Sequence, residues 1–155
     1  MDLYKCINEQ LQKASSEKTT EIQGVDGQLR VDLKLADCGR LGCLLDRINL
    51  QHTKDGHLAF DPVHITEQVT YLGEKLEVIE TDGEMGRTIL RSNPPRVDGE
   101  NISFFEMVLD RSMGLSLARY EYDSGKGRRT PVTAPLTRDS LERLIRDLIE
   151  LVQEN

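Results

Sequence analysis

Residues 76–122, LEVIETDGEMGRTILRSNPPRVDGENISFFEMVLDRSMGLSLARYEY, decide the fold of this chain. Turn-forming residues divide the segment into four short runs, and this pattern is typical of an antiparallel meander. The predicted strands are Leu76–Thr81, Gly86–Ser92, Ile102–Leu109 and Leu115–Tyr122. The third strand is apolar on both faces, which indicates either a central position in a sheet covered on both sides or a face that meets a partner subunit.

A second β-rich region precedes the meander. From Leu29 to Leu35 apolar and charged residues alternate, and this two-residue period predicts a strand with one buried face and one wet face. Cys43–Gln51 is its predicted partner, and the uneven spacing of its apolar residues predicts a bulge or a register change. His57–Phe60 is predicted as a short third strand, and the polar residues 15–20 are predicted as a linker.

Two helices are predicted at the ends of the chain. The first covers residues 2–15, and its narrow apolar stripe suits a position on the surface of a core. The last helix is capped either by Asp139 together with Glu142 or by Thr137. Its wide apolar stripe is suited to packing across a sheet.

Two further segments give mixed signals. His64–Gly73 has a helical spacing of apolar residues but also contains strand-preferring residues, and we predict a helix that ends at Gly73. Arg129–Leu136 contains Pro131 and Pro135, which cannot donate to a ladder, so an edge strand or an extended linker is expected. Together the elements predict a single α+β domain over residues 1–155. Its mostly antiparallel, strongly curved sheet carries the N-terminal and C-terminal helices.

Composition excludes several classes of partner. The net charge is −7, and binding to phosphates needs clustered Lys and Arg, so neither nucleic acid nor an anionic membrane is an expected partner. Three cysteines form an odd and sparse set, which predicts ordinary thiols in a reducing compartment. The first residues contain no secretory signal. We therefore expect a cytoplasmic protein that needs no cofactor.

One spacing is compatible with a metal site. Two cysteines lie five positions apart and two histidines follow five positions apart, and both residue types are zinc ligands. The candidate ligands are Cys38, Cys43, His52 and His57. The competing interpretation is a turn cysteine, a small core cysteine and two solvated histidines, and it is favoured because the gap between the pairs fits no familiar ligand pattern.

A polar cluster is predicted inside the meander. Glu106 shares a strand face with Phe104 and Val108, and a carboxylate in such a position must be paired or belong to a site. The arginines on neighbouring strands are Arg87, Arg91 and Arg119. The functional interpretation is an anion-binding or acid–base cluster in which Arg91 and Arg119 hold a carboxylate or a phosphate. The alternative interpretation is a cross-strand salt bridge on a partly exposed sheet face.

A basic loop follows the meander. Residues 124–130 contain Lys126, Arg128 and Arg129 together with two glycines, which would allow backbone N–H groups to approach an anion. The segment does not match the nucleotide-binding phosphate loop, and it follows a strand without opening a helix. The alternative interpretation is a solvated hairpin tip.

The sequence contains no motif that names a reaction, and no Gly-x-Ser-x-Gly nucleophile elbow occurs. The leading hypothesis is a non-enzymatic binding or adaptor module, chaperone-like in its action through protein–protein contacts, and a homodimer. Size and acidity resemble those of small secretion chaperones, an analogy that rests on no motif. The alternative is a protein or enzyme that binds a small anionic ligand with Arg91, Glu106 and Arg119, with the basic loop as a lid.

Overall fold

The computed structural model describes residues 2–14, 20–53 and 58–153. These residues form three helices and ten strands, and the strands belong to one antiparallel sheet. Along the chain the elements are α1 (Leu3–Lys13), β1 (Thr20–Asp26), β2 (Leu29–Cys38), β3 (Gly42–His52), α2 (Pro62–Gln68), β4 (Leu76–Asp82), β5 (Arg87–Ser92), β6 (Arg96–Asp98), β7 (Asn101–Asp110), β8 (Gly114–Asp123), β9 (Arg128–Val132), β10 (Ala134–Thr137) and α3 (Arg138–Gln153). The predicted α+β class is confirmed.

The sheet has the order β1-β2-β3-β8-β7-β5-β4. Three short strands lie beside this path: β6 pairs with β7, β9 with β8, and β10 with β3. β3 pairs with β8 at residues 48–50 and with β10 at residues 42–45, so β9 and β10 fill the space where β3 and β8 diverge. The sheet is not strongly curled, and the predicted strong curvature is therefore wrong.

The meander is the centre of this sheet. Its predicted strands are confirmed as β4, β5, β7 and β8, with ends that differ by one residue at most. β7 lies between β8 on one side and β5 with the short β6 on the other. β7 is therefore central in the sheet, as predicted, but the helices of the described residues cover only one of its faces, so the predicted cover on both faces is not found there.

The core lies between the three helices and one face of the sheet, which we call the helix face. Its side chains include Leu33 on β2, Ile48 on β3 and Met107 on β7, all at most 1% exposed. The amphipathic α3 contributes Leu141, Leu144, Ile145 and Leu148. The opposite face, which we call the open face, carries the alternate positions of the same strands. In the described part of the chain no helix packs against it.

β1 was missing from the prediction. Its sequence has few apolar residues, and the buried positions of its inner side are Ile22 and Gly24. Gly24 lies directly under α1, where an added Cβ would come within 2.7 Å of Ile7 Cδ1. A glycine that allows a helix to approach a strand closely gives no hydrophobic signal in the sequence. The β2–β3 hairpin, in contrast, is confirmed together with its predicted register shift.

The remaining segments follow the predictions in part. α2 begins after the cap residue Asp61 and ends at Gln68, before the predicted end at Gly73. Residues 58–60 form no strand, and His57 lies outside the described residues. α3 is capped by Thr137, whose hydroxyl accepts from the N–H of Ser140, so Thr137 rather than Asp139 is the cap. The proline-containing segment forms β9 and β10, which each pair on one side as expected for edge strands.

Both edges of the sheet are protected against the addition of a further strand. On β1, the side-chain amide of Gln10 donates to the carbonyl oxygen of Gln23 (2.6 Å) and accepts from its N–H (3.4 Å). A side chain from α1 thus takes the place of a neighbouring strand. β4 carries a register shift between Val78 and Glu80 and two exposed acidic side chains, Glu80 and Asp82. Bulges and charges of this kind discourage strand pairing.

Candidate functional site

A groove of about 600 Å³ crosses the open face. Alternate residues of β3, β8, β7 and β5 form its floor, and β9 contributes one wall. The lining residues are Asn49, Gln51, Arg87, Ile89, Arg91, Glu106, Val108, Asp110, Met113, Gly114, Leu115, Ser116, Tyr120 and Arg129. The groove combines an apolar floor with charged and hydrogen-bonding groups, as binding sites in proteins commonly do.

Glu106 is the central charged group of the groove. It lies in the middle of β7, opposite Arg91 of β5 and Ala118 of β8, and it is 4% exposed. Arg91 Nη2 donates to Glu106 Oε1 at 2.6 Å. Arg129 of β9 donates through both terminal nitrogens, at 3.0 Å to Oε1 and at 2.7 Å to Oε2. One buried carboxylate thus holds two guanidinium groups, and we call these three residues the Glu106 clamp.

Aromatic rings support both arginines of the Glu106 clamp. The guanidinium of Arg91 lies 4.9 Å from the ring centre of Phe104, and that of Arg129 lies 3.9 Å from the ring centre of Tyr120. The two rings are themselves neighbours, with centres 6.3 Å apart. Cation–π contacts of this kind fix the planes of the guanidinium groups. The arginines are therefore oriented before any ligand arrives.

The clamp is charged at neutral pH. Burial acts to raise the pKa of Glu106, but the hydrogen bonds from Arg129 and Arg91 outweigh it and hold the pKa below the ordinary value. The hydrogen bond between Arg129 and Glu106 also raises the pKa of Arg129. A buried carboxylate that accepts several charge-assisted hydrogen bonds is a strong structural anion. It is a poor general base, because its proton affinity is low.

Two further charged groups lie at the end of the groove next to the β7–β8 turn. Arg87 is exposed and stands opposite Asp110 in the β5–β7 register. Asp110 Oδ1 accepts from the N–H of Met113 at 3.0 Å and from the N–H and hydroxyl of Ser112. These hydrogen bonds lower the pKa of Asp110. In the described residues no carboxylate forms an ion pair with Arg87 within 4.0 Å.

The structure separates the predicted cluster into two places. Arg91 and Glu106 meet as predicted, but Arg119 lies on the helix face, where it pairs with Glu74 at 2.7 Å and donates to the Ser103 hydroxyl. Its guanidinium stacks 4.8 Å from the ring centre of Phe105. A site that contains Arg91, Glu106 and Arg119 together is therefore not formed, because successive odd and even positions of a strand point to opposite faces.

The basic loop is also divided. The backbone N–H groups of Gly125 and Lys126 donate to Asp123 Oδ1, and the N–H of Gly127 donates to the Asp123 carbonyl oxygen. The loop therefore satisfies its own donors, and an anion cradle of backbone N–H groups is not formed. The side chains of Lys126 and Arg128 are exposed and take no part in the groove. Arg129 alone of the three basic side chains reaches it.

The predicted metal ligands are not brought together. Cys38 and Cys43 form a disulfide at the end of the β2–β3 hairpin, so the prediction of free thiols is wrong for this pair, while Cys6 is free. His52 is at the opposite end of β3, roughly 30 Å from Cys43 at the usual rise of a strand. His57 lies outside the described residues. Within the described ranges no group of three metal-ligating side chains occurs.

The disulfide also bears on the predicted compartment. Disulfides persist in oxidising environments and are rare in reducing ones. The cytoplasmic location was predicted from three free thiols, and Cys38 and Cys43 are not free. The location stays a prediction. Among the described helices, none has the length and apolar character that crossing a membrane requires.

No protein-family model, curated protein or solved structure matches the chain. The groove itself is therefore the basis for a functional proposal. Sequence reasoning identified Arg87, Arg91 and Glu106 in it, and Arg129 as a member of the basic loop. It missed Asn49, Gln51 and Ser116, which are the polar positions of strands whose other face is apolar. The alternation of apolar and polar residues along β3 and β8 could have identified these three positions.

Proposed function

We propose that this protein is a non-enzymatic binding module that holds a segment of a partner protein on the open face of its sheet. The observation that carries the proposal is the groove, with two guanidinium groups fixed by Glu106 at its centre. An uncovered sheet face with preoriented hydrogen-bonding groups lowers the entropic cost of binding a flexible chain. The partner would supply the second layer that helices supply on the other face.

Catalysis has less support than binding. The ionised groups of the groove are arginines and two carboxylates with lowered pKa values, and such carboxylates do not serve as bases near neutral pH. Ser116 stands opposite Asn49 and Val108, neither of which is a base, and the ring of Tyr120 lies against the guanidinium of Arg129. A groove of this composition is suited to binding a partner segment. Its guanidinium groups stay protonated and its floor is apolar, whereas none of the groups named above is suited to transferring a proton near neutral pH.

Selection from a random peptide display library tests the proposal directly. The wild-type protein and Ser116→Trp, which places an indole in the groove, are used as bait in parallel. We expect peptides to be enriched on the wild type and lost on Ser116→Trp. Val25→Trp is the matched control, since Val25 is exposed on β1 away from the groove, and it should retain the peptides. Equal enrichment on all three baits, or none on any, would refute the proposal.

A small anionic ligand remains the second candidate, and the excess of arginines in the groove favours it. Its site would be the Glu106 clamp with Arg87, since Arg119 lies on the other face. A thermal-shift screen with nucleotides, sugar phosphates and carboxylic acids tests it, because a ligand that binds the folded state raises the melting temperature by mass action. A shift that Arg87→Gln abolishes would favour this candidate.

Self-association is proposed as a second property of the module. β4 exposes two large apolar side chains, Val78 and Ile79, which are 40% and 44% exposed. These exposed aliphatic side chains are suited to packing against a second copy of the chain without the strand pairing that the bulge and charges of β4 discourage. The proposed homodimer would form through β4 and would not involve the groove.

A further inference from the structure

We infer that the groove is a carboxylate-binding site that takes an acidic side chain from an extended segment of the partner. Arg87, Arg91 and Arg129 would surround this side chain, and Glu106 serves as an internal anion that fixes two of them. The inference rests on the proposed function and specifies the chemistry of the partner at that same groove.

The charge of the groove is complementary to a single carboxylate. The groove contains three arginines and two carboxylates, so it carries one net positive charge in a chain whose net charge is −7. Glu106 is shared by two guanidinium groups and therefore neutralises one of them only. The second carboxylate, Asp110, is occupied by the N–H groups and hydroxyl of its own turn. One additional carboxylate would make the groove neutral.

Two of the groove arginines have hydrogen-bond donors that no group of the described residues uses. Arg91 uses Nε and Nη2 for Glu106 Oε1, and in the described residues no acceptor faces its Nη1. The whole guanidinium of Arg87 is likewise without a hydrogen-bond partner in the described part of the chain. The side chains of Arg91 and Arg129 are 35% and 40% exposed, so a ligand can reach them. Guanidinium donors bind carboxylate oxygens in pairs, which gives direction as well as attraction.

The groove favours a carboxylate over a phosphate. A phosphate monoester carries a charge of about −1.5 to −2 at neutral pH, which exceeds the single positive charge of the groove. The excess would lie next to Glu106 and Asp110 and be repelled by them. Ile89 and Val108 line the same groove and offer an apolar surface to the methylene groups of a Glu or Asp side chain.

The dimensions favour an internal side chain of a peptide. The groove crosses four neighbouring strands, which corresponds to about 14 Å at the usual strand spacing. An extended peptide covers that distance with about four residues. Asn49, Gln51 and Ser116 line the groove on β3 and β8, at the side opposite Arg87 and Arg91 of β5, where they can hydrogen-bond the peptide backbone.

The test is a titration with a capped tripeptide that carries one carboxylate, Ac-Ala-Glu-Ala-NH2, followed by NMR of the arginine side-chain N–H signals. We expect saturable shifts of the groove arginines and at least a fivefold weaker affinity for Ac-Ala-Gln-Ala-NH2. Arg87→Gln should weaken the Glu tripeptide at least fivefold. This variant leaves the Glu106 clamp intact and should fold, and Arg30→Gln is its control, because Arg30 lies on the open face outside the groove.

Three outcomes would overturn the inference: equal affinity for the Glu and Gln tripeptides, tighter binding of inorganic phosphate than of the Glu tripeptide, or no effect of Arg87→Gln. Sodium acetate is a further probe, because it carries a carboxylate without a peptide. The Glu tripeptide should bind more tightly than acetate if the site takes a peptide side chain. The tripeptide titration and the library selection can fail independently of each other. Enriched peptides without acidic residues would contradict the carboxylate site and leave the binding module standing, whereas tripeptide binding without any enriched peptide would do the reverse.

Discussion

Glu106 couples the stability of the sheet to the groove, since its carboxylate is buried and both its partners are arginines of other strands. Replacing it with Gln would leave two guanidinium groups facing each other without an anion. Loss of one partner of a buried ion pair costs roughly 3–5 kcal/mol. Here we expect about 2 kcal/mol, because both arginines are partly exposed and can turn to water.

Urea denaturation of Glu106→Gln measures this cost. The matched control is Asp32→Asn, which breaks the exposed pair of Asp32 with Arg30 on the same open face and should change the free energy of unfolding by less than about 0.5 kcal/mol. If the two variants lose the same small amount, Glu106 does not hold the clamp together.

The pH dependence of stability follows from the lowered pKa of Glu106. A carboxyl group whose pKa is lower in the folded state than in the unfolded state stabilises the fold above its unfolded pKa, about 4.3 for Glu. This contribution is lost as the pH falls through the folded value. The difference in unfolding free energy between wild type and Glu106→Gln should therefore be constant from pH 7 to about pH 5 and shrink below about pH 4.

Urea denaturation at several pH values measures this difference. Glu106→Gln itself should still lose stability in acid, because the pKa of Asp110 is also lowered, by hydrogen bonds from Met113 and Ser112. A difference between the two proteins that grows toward low pH would contradict the sign of the predicted effect.

At the residue scale, the sequence identified the anomaly but not its full set of partners. Glu106 was visible because it interrupts an apolar face of β7, and Arg91 because the two strands are neighbours in a meander. Arg129 could not be paired with Glu106, since that requires the register of β9 on β8. Arg119 was assigned wrongly, although it follows Leu115 and Leu117 at alternate positions and shares their buried face.

At the scale of elements, α1 and β1 are joined by the amide of Gln10. Gln10→Ala removes its two contacts with the backbone of Gln23 and uncovers the edge of β1. We expect a loss of about 1 kcal/mol in the free energy of unfolding, the usual net value of a hydrogen bond. We also expect increased aggregation on heating, since an uncovered edge pairs with other chains.

Urea denaturation and light scattering follow these two effects. Gln12→Ala on the same helix is the control, because its amide contacts the side chain of Glu142 on α3 rather than a strand. Aggregation of both variants to the same extent would show that Gln10 does not protect the edge.

Gly114 is the second position at which an element depends on one residue. It begins β8 with φ at 99°, and an added Cβ would overlap the carbonyl oxygen of Leu50 on β3. Gly114→Ala combines backbone strain with a clash against a backbone atom, and we expect a loss of about 3 kcal/mol. Gly83→Ala, with no atom within 4 Å of the added Cβ, should be near neutral. Thermal denaturation of both variants compares them.

Short strands limited the prediction of elements. The four meander strands and the β2–β3 hairpin have enough apolar residues to be recognised singly. β6 spans three residues and is exposed throughout, and β10 spans four. Their conformation is set by pairing with β7 and β3, a non-local interaction that local propensity does not contain.

At the scale of the molecule, the sheet has unequal faces: one carries the helices and the core, and the other carries the groove. The sequence supports the α+β class through its meander and its two terminal helices, which have clear periods. It could not show which surface is left open, because the same apolar strand β7 is compatible with a second layer of helices or with a partner. That choice depends on how the three helices distribute over the two faces.

The proposed homodimer gives the prediction for the whole molecule. If Val78 and Ile79 pack against a second copy, two acidic chains with a net charge of −7 each are brought together, and their repulsion is screened by salt. Sedimentation velocity should therefore show a species of twice the chain mass of 17.6 kDa that gains population as NaCl is raised from about 20 mM to about 300 mM. Val78→Lys should shift the protein toward monomer at both salt concentrations, whereas Val25→Lys, at a still more exposed position on β1, should not. A monomer under all these conditions would exclude the homodimer and leave the groove as the binding surface of a single chain.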